Sequence, residues 1–98
     1  MYKLDIVVPK YYNNKEPIES SLIQYLKDII IGQYGGLSVT DNKGYWKFNG
    51  QTYIDENRVF SIVTDTIYED FIKFIKEYIK TELKQKDVFI VKSEVTLL

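Results

Sequence analysis

The spacing of apolar residues changes along the chain, and in the first half it predicts one strand followed by one helix. Residues 2–8 alternate at first and then become continuously apolar, which predicts a strand closed by Pro9. Apolar residues then recur at three- and four-residue steps, which predicts a helix. We expect Pro17 in the first turn of this helix and Gly32 or Gly35 at its end.

The centre of the chain predicts a long β-hairpin that turns at Asn49-Gly50. This dipeptide is the strongest short-range hairpin signal, because both residues tolerate positive φ. A two-residue turn there places Trp46 opposite Tyr53. The apolar alternation is interrupted over 41–44, where we expect a bulge or bend. The same register predicts further neighbours: Tyr45 on the face of Ile54, Val39 with Phe60, and Leu37 with Ile62.

The second half repeats the strand and helix signals. Residues 59–63 complete the third strand, and apolar residues at helical spacing over 67–84 predict a second helix. Thr66 and Glu69 have the spacing of a capping box at its start, and Asp65 is a competing cap. Residues 88–91 predict a fourth strand, which the last four residues either prolong or follow with an edge piece.

The resulting order is βαββαβ, so we predict a single α+β, ferredoxin-like domain over residues 1–98. Its antiparallel sheet has the strand order 4-1-3-2, with both helices on one face. Both faces of the two central strands and of the fourth strand are partly apolar, although a sheet covered on one side needs apolar residues on that side only. We therefore expect a second copy to cover the open face and form a homodimer, unless loops and the last residues bury these side chains instead. The expected oligomer interface comprises Val59, Phe60, Ile62, Val63, Phe89 and Val91.

The composition removes several kinds of chemistry. The chain has no cysteine and no histidine, which excludes disulfides, thiolate nucleophiles, Cys/His zinc sites and imidazole catalysis. We expect no metal and no cofactor. The net charge of −1 gives no general attraction to nucleic acid, so none is expected as a partner. Without a signal-peptide pattern or a long apolar run, the cytoplasm is the default location and no membrane is expected.

Candidate chemistry concentrates on the hairpin. Aromatic residues near its tip form either a ligand or partner surface or cross-strand pairs that hold the hairpin together. Asp41, Asp55 and Glu56 lie close in sequence, but turn chemistry explains them more simply than acid–base catalysis. Arg58 is expected either to form an ion pair with Glu56 or to bind an anion. The predicted ligand or partner surface comprises Tyr45, Trp46, Tyr53, Glu56 and Arg58.

One motif series carries a family resemblance. The residues are Gly36-x-Ser38-Val39, Gly44-x-Trp46, Gly50, Glu56 and Gln85-x-x-Val88. This series resembles a family of small bacterial proteins of unknown function with a G-x-[ST]-V, G-x-W, G, E and Q-x-x-V pattern. The resemblance implies a fold and no transferable site. A looser similarity, in strand and helix order only, is to the trimeric signalling proteins of nitrogen regulation.

These observations favour a small binding or interaction protein, with itself, another protein or a small ligand as partner. Enzymatic activity is the less favoured interpretation. The alternatives are an enzyme or small-ligand binder of the dimeric α+β-barrel kind, working without His or Cys, and an inhibitor encoded by a mobile element.

Overall fold

The computed structural model describes all residues from Met1 to Leu98 and contains one antiparallel sheet and two helices. The strands lie side by side in the order β2-β3-β1-β4. Taken from the other edge, this is the predicted order 4-1-3-2, so the α+β ferredoxin-like fold is confirmed. The elements are β1 (Tyr2–Pro9), α1 (Ser20–Tyr34), β2 (Ser38–Phe48), β3 (Gln51–Thr64), α2 (Glu69–Thr81) and β4 (Ile90–Glu94).

The core lies between the helices and one face of the sheet. On that face Leu4 pairs with Ile62 and Ile6 pairs with Phe60. These four side chains are 0–3% exposed, because alternate residues of a strand point to the same side. Each such burial contributes about 1.5–3 kcal/mol relative to an exposed side chain. All buried residues form one cluster: Leu4, Ile6, Val8, Ile18, Ile23, Leu26, Ile30, Phe60, Ile62, Ile75, Ile79 and Leu83.

The first helix starts later than predicted and ends where Gly35 predicts. Pro17 forms an isolated bridge with Tyr11, so it is extended, and the helix begins only at Ser20. At the other end Gly35 has φ 85°, and its N–H donates to the Ile31 carbonyl at 2.7 Å. Glycine adopts this left-handed conformation without the cost that a Cβ imposes.

The predicted capping box at the second helix is wrong. The helix begins at Glu69, and its N-cap, Tyr68, makes no side-chain cap bond. Thr66 lies two residues before that cap, and its N–H donates to Thr64 Oγ1 in a local turn that follows β3. Glu69 and Asp70 lie in the first turn, where negative charge stabilises the helix dipole.

The fourth strand begins two residues later than predicted. It runs from Ile90, although the Val7 N–H still donates to the Phe89 carbonyl at 3.0 Å. The last four residues belong to no strand, and of these Val95 donates its N–H to the Met1 carbonyl.

The hairpin follows the predicted turn but has no bulge. Asn49 and Gly50 have φ values of 50° and 77°, as a type I′ turn requires. Pairing continues without a gap through residues 41–44, so the predicted bulge is wrong. These positions are polar because the hairpin leaves the cover of the helices there and both faces meet water. Three of the predicted pairs are confirmed: Trp46 with Tyr53, Tyr45 with Ile54, and Val39 with Phe60. The fourth is wrong, because β2 begins at Ser38 and Leu37 lies outside the ladder, so it does not pair with Ile62.

Candidate functional site

An aromatic pair marks one face of the projecting hairpin. Trp46 and Tyr53 pair across the strands, and their rings stack at 4.7 Å with an angle of 21°. The indole Nε1–H of Trp46 donates to Asp55 Oδ2 at 2.8 Å. Both rings remain partly exposed, so this face carries a stacked aromatic pair with a fixed carboxylate beside it. This side is the open face of the sheet.

The predicted ligand surface is divided between the two faces of the hairpin. Tyr45 lies on the opposite face from Trp46, directly across from Ile54. Because residues alternate along β3, Glu56 and Arg58 share the face of Ile54. Lys43 Nζ lies 3.8 Å from Glu56 Oε1, so the strands are also joined there by an ion pair.

The three predicted carboxylates are likewise separated. Asp41 lies on the helix side, where Lys10 Nζ approaches its Oδ1 at 2.9 Å. The hydrogen bond and charge of Lys10, with a smaller contribution from Arg58, hold the pKa of Asp41 below its usual value. Asp41 therefore ties the β1–α1 loop to the base of the hairpin, and Asp55 alone faces the open side.

A groove of about 990 Å³ lies at the base of the hairpin and reaches the aromatic pair. We call it the hairpin groove. Its walls come from β1, from both strands of the hairpin and from the loops that precede α1 and β4. Its volume is that of a small-molecule site. Of the predicted ligand or partner surface, Trp46, Tyr53 and Glu56 line this groove, whereas Tyr45 and Arg58 do not. The groove is also lined by Tyr12, Asp55, Asp87 and Phe89.

Tyr12 holds one wall of the hairpin groove in place. Its hydroxyl donates to the carboxylate of Glu19, and Lys84 Nζ lies 5.5 Å from the centre of its ring. The hydrogen bond to Glu19 raises the pKa of Tyr12 to about 12. The same bond lowers the pKa of Glu19. The loop before α1 is thus fixed against the end of α2.

Sequence reasoning missed three of these groove residues for different reasons. In the sequence, Asp55 is explained as a turn residue. Its position two residues after Tyr53 is nevertheless a signal, because residues two apart on a strand lie on the same face. Tyr12 and Asp87 carry no local signal, because only the folded loops bring them to the hairpin.

The predicted oligomer interface is also divided. Val63, Phe89 and Val91 are 46%, 64% and 54% exposed on the open face. Val59 alternates with the core residues and lies on the same face, half-buried. Phe60 and Ile62 point to the helices and are buried within the chain, so they cannot form part of a surface on the open face.

The open face is polar at its centre. Ser61 Oγ donates to Asp5 Oδ1 at 2.6 Å, and Lys3 Nζ lies 3.8 Å from the same oxygen. The apolar side chains of this face therefore flank a hydrogen-bonded polar group.

A second, smaller cavity of about 510 Å³ lies between the helices. Tyr25 stacks on Tyr78 there at 5.3 Å, and the Tyr78 hydroxyl donates to the Leu22 carbonyl. Burial raises the pKa of Tyr78. The carboxylates form no group of three or more that could hold a metal ion, and neither helix has the length and apolar character that a membrane span requires.

Comparisons with known proteins connect the fold to solved structures. Neither a family model nor a curated protein sequence matches the chain. The divalent cation tolerance protein CutA1 of Thermus thermophilus matches with a TM-score of 0.62 and 14% identity, over 99% of this chain and 86% of that one. CutA1 of Pyrococcus horikoshii matches with a TM-score of 0.61 and 13% identity, over 100% and 86%.

A phage SAM lyase in complex with S-methyl-5′-thioadenosine also matches. Its TM-score is 0.63 and its identity 18%, over 95% of this chain and 80% of that one. At these identities the likeness shows a shared fold: this chain has the ferredoxin-like architecture of all three proteins.

Proposed function

We propose that the chain is a small binding protein that self-associates through the open face of its sheet, most simply as a homodimer. The observation that carries this proposal is the exposure of Val63, Phe89 and Val91 on that face. Grouped exposed apolar side chains mark interaction sites. Self-association would bury these side chains, and burial stabilises the complex by about 25 cal/mol per Å² of apolar surface.

The polar centre of the open face is compatible with burial. Asp5 already accepts a hydrogen bond from Ser61 and lies near Lys3. A carboxylate that keeps such partners costs less to bury than an unpaired one. With a net charge of −1, two copies also repel each other only weakly.

Charge substitutions on the two sides of the sheet test this proposal. Val63→Lys and Val91→Lys each place an ammonium on the open face, and we expect each to lower the mass measured by light scattering. Ile31→Lys is the matched control, because Ile31 is 44% exposed on α1. The open face is not the interface if only the Ile31→Lys control loses association. The same conclusion follows if none of the three variants loses it.

A second candidate function is the binding of an adenosine-type nucleoside in the hairpin groove. Two observations favour it: the similar phage SAM lyase is a complex with S-methyl-5′-thioadenosine, and the groove has a stacked aromatic pair beside a carboxylate. Aromatic side chains bind nucleobases by stacking, at about 1–3 kcal/mol per base.

Titration with S-methyl-5′-thioadenosine tests the second candidate. Trp46 is the only tryptophan, so a ligand stacked beside it changes the protein fluorescence. Tyr53→Ala removes one ring of the stacked pair and is expected to weaken binding. Tyr45→Ala, on the opposite face, is the matched control and is expected to bind as the wild type does. A wild type without any saturable response, or equal loss in both variants, would exclude the groove as this site.

The motif resemblance stays a prediction. Gly44, Trp46, Gly50 and Glu56, which belong to it, all lie on the hairpin. If the chain is a member of that family, we expect its common feature to be this hairpin and the surface beside it.

A further inference from the structure

We propose that Asp55 recognises the ribose of a nucleoside bound in the hairpin groove. The inference rests on the second candidate function and adds to it the residue that selects the sugar. It follows from how the Asp55 carboxylate is held, from its distance to the aromatic pair, and from the positions of the other carboxylates.

The carboxylate of Asp55 has one engaged and one free oxygen. Trp46 Nε1–H donates to Oδ2 at 2.8 Å, whereas Oδ1 accepts no hydrogen bond and joins no ion pair within the chain. The indole therefore fixes the direction of the group without using its full capacity. An ionised carboxylate has about four lone-pair sites, so Asp55 can accept hydrogen bonds from neighbouring hydroxyls.

The spacing along β3 suits a nucleoside. Tyr53 and Asp55 are two residues apart on one strand face, which separates their Cα atoms by about 7 Å. If a base stacks on the Tyr53 and Trp46 rings, its ribose lies beside them at the distance of one further ring. Asp55 is the residue at that distance along β3. Carboxylates hold the ribose 2′-hydroxyl in the same way in dinucleotide-binding folds.

The other carboxylates of the hairpin groove are placed less well for this role. The side chain of Glu56 belongs to the opposite face of the hairpin, where Lys43 lies 3.8 Å away. Asp87 lies in the loop before β4 and lines the groove, but no stacked aromatic pair adjoins it. Among the groove carboxylates, Asp55 alone is fixed by a member of the stacked aromatic pair.

Comparison of adenosine with 2′-deoxyadenosine tests the assignment. We expect wild-type protein to bind adenosine about 10-fold more tightly or better, because a hydrogen bond to a charged group is lost with the deoxy sugar. Asp55→Asn keeps an acceptor for the Trp46 indole but removes the charge, and we expect the two nucleosides to bind nearly equally. Asp87→Asn is the control in the same groove and is expected to keep the preference.

The outcomes separate the two claims. If wild-type protein binds both nucleosides with equal affinity, or if Asp55→Asn keeps the full preference, the role of Asp55 is overturned while the groove remains a nucleoside site. If wild-type protein binds neither nucleoside, the groove is not a nucleoside site, and the proposal for Asp55 falls with it.

Discussion

Single side chains fix the geometry of the hairpin groove. Trp46 contributes in two ways, since its ring stacks on Tyr53 and its indole N–H holds Asp55. Tyr12 and Glu19 hold the loop on the other side through a hydrogen bond with a charged acceptor. Bonds of this kind are stronger than those between neutral groups. The groove is therefore largely formed before any ligand binds.

Trp46→Phe separates the two contributions of the indole. The variant keeps an aromatic ring but loses the donor to Asp55, so we expect the free energy of unfolding to fall by about 0.5–1.5 kcal/mol. Urea denaturation followed by circular dichroism measures this change. Tyr45→Phe is the control, because the Tyr45 hydroxyl makes no hydrogen bond within the chain and its loss should leave stability unchanged. Equal stability of wild type and Trp46→Phe would contradict the role of the indole bond.

The Tyr12–Glu19 bond predicts a pH dependence at both extremes. The folded pKa of Tyr12 is about 12, above its ordinary value of 10.0, so its contribution to stability is complete below pH 10 and is lost as the pH rises towards 12. The pKa of Glu19 is lowered from 4.5, so its contribution is present above that pH and is lost as the pH falls through the lowered value.

Ultraviolet titration of the tyrosines tests the bond at high pH. The difference between wild type and Tyr12→Phe should show one phenol that ionises near pH 12. In Glu19→Gln the same phenol should ionise at lower pH, because the negative acceptor is gone. A Tyr12 phenol that ionises near its ordinary value of 10.0 in the folded wild type would show that the bond is absent.

At the scale of elements, the hairpin is the part of the molecule that the sequence predicts best. Asn49-Gly50 fixes the register, and the register alone places Trp46 on Tyr53. The sequence does not indicate where the helices stop covering the hairpin, so the polar residues 41–44 suggest a bulge that the structure lacks. The turns before both helices are also mispredicted, because contacts such as the bridge of Pro17 depend on folded neighbours.

The same limit applies to the candidate site. Residues 59–63 are apolar at nearly every position, so periodicity cannot tell which side chains face the helices, and the predicted interface wrongly includes Phe60 and Ile62. The loop residues Tyr12 and Asp87 meet the hairpin only through long-range packing. The aromatic pair follows from local register, whereas the groove around it does not.

Gly50→Ala tests the turn that sets this register. Gly50 has φ 77°, a conformation that costs an L-residue about 1–2 kcal/mol, and we expect a loss of stability of that size. Gly44→Ala is the matched control on the same hairpin, because Gly44 has no positive φ and open space around its Cβ position. A Gly50→Ala protein as stable as Gly44→Ala in urea would contradict the type I′ turn.

At the scale of the whole molecule, the fold leaves one face of the sheet without a cover. The helices bury the core residues of the other face, and the hairpin extends the molecule to 42 × 29 × 21 Å. Val63, Phe89 and Val91 remain exposed on the open face. Phe89 also lines the hairpin groove, so a second copy bound to this face would lie beside the candidate ligand site.

The mass of the wild-type protein in solution tests self-association most directly. Sedimentation equilibrium over a range of protein concentrations should give a mass above the 11.6 kDa of one chain, approaching twice that value as concentration rises. A mass of 11.6 kDa at every concentration would contradict the proposal that a second copy covers the open face of the sheet.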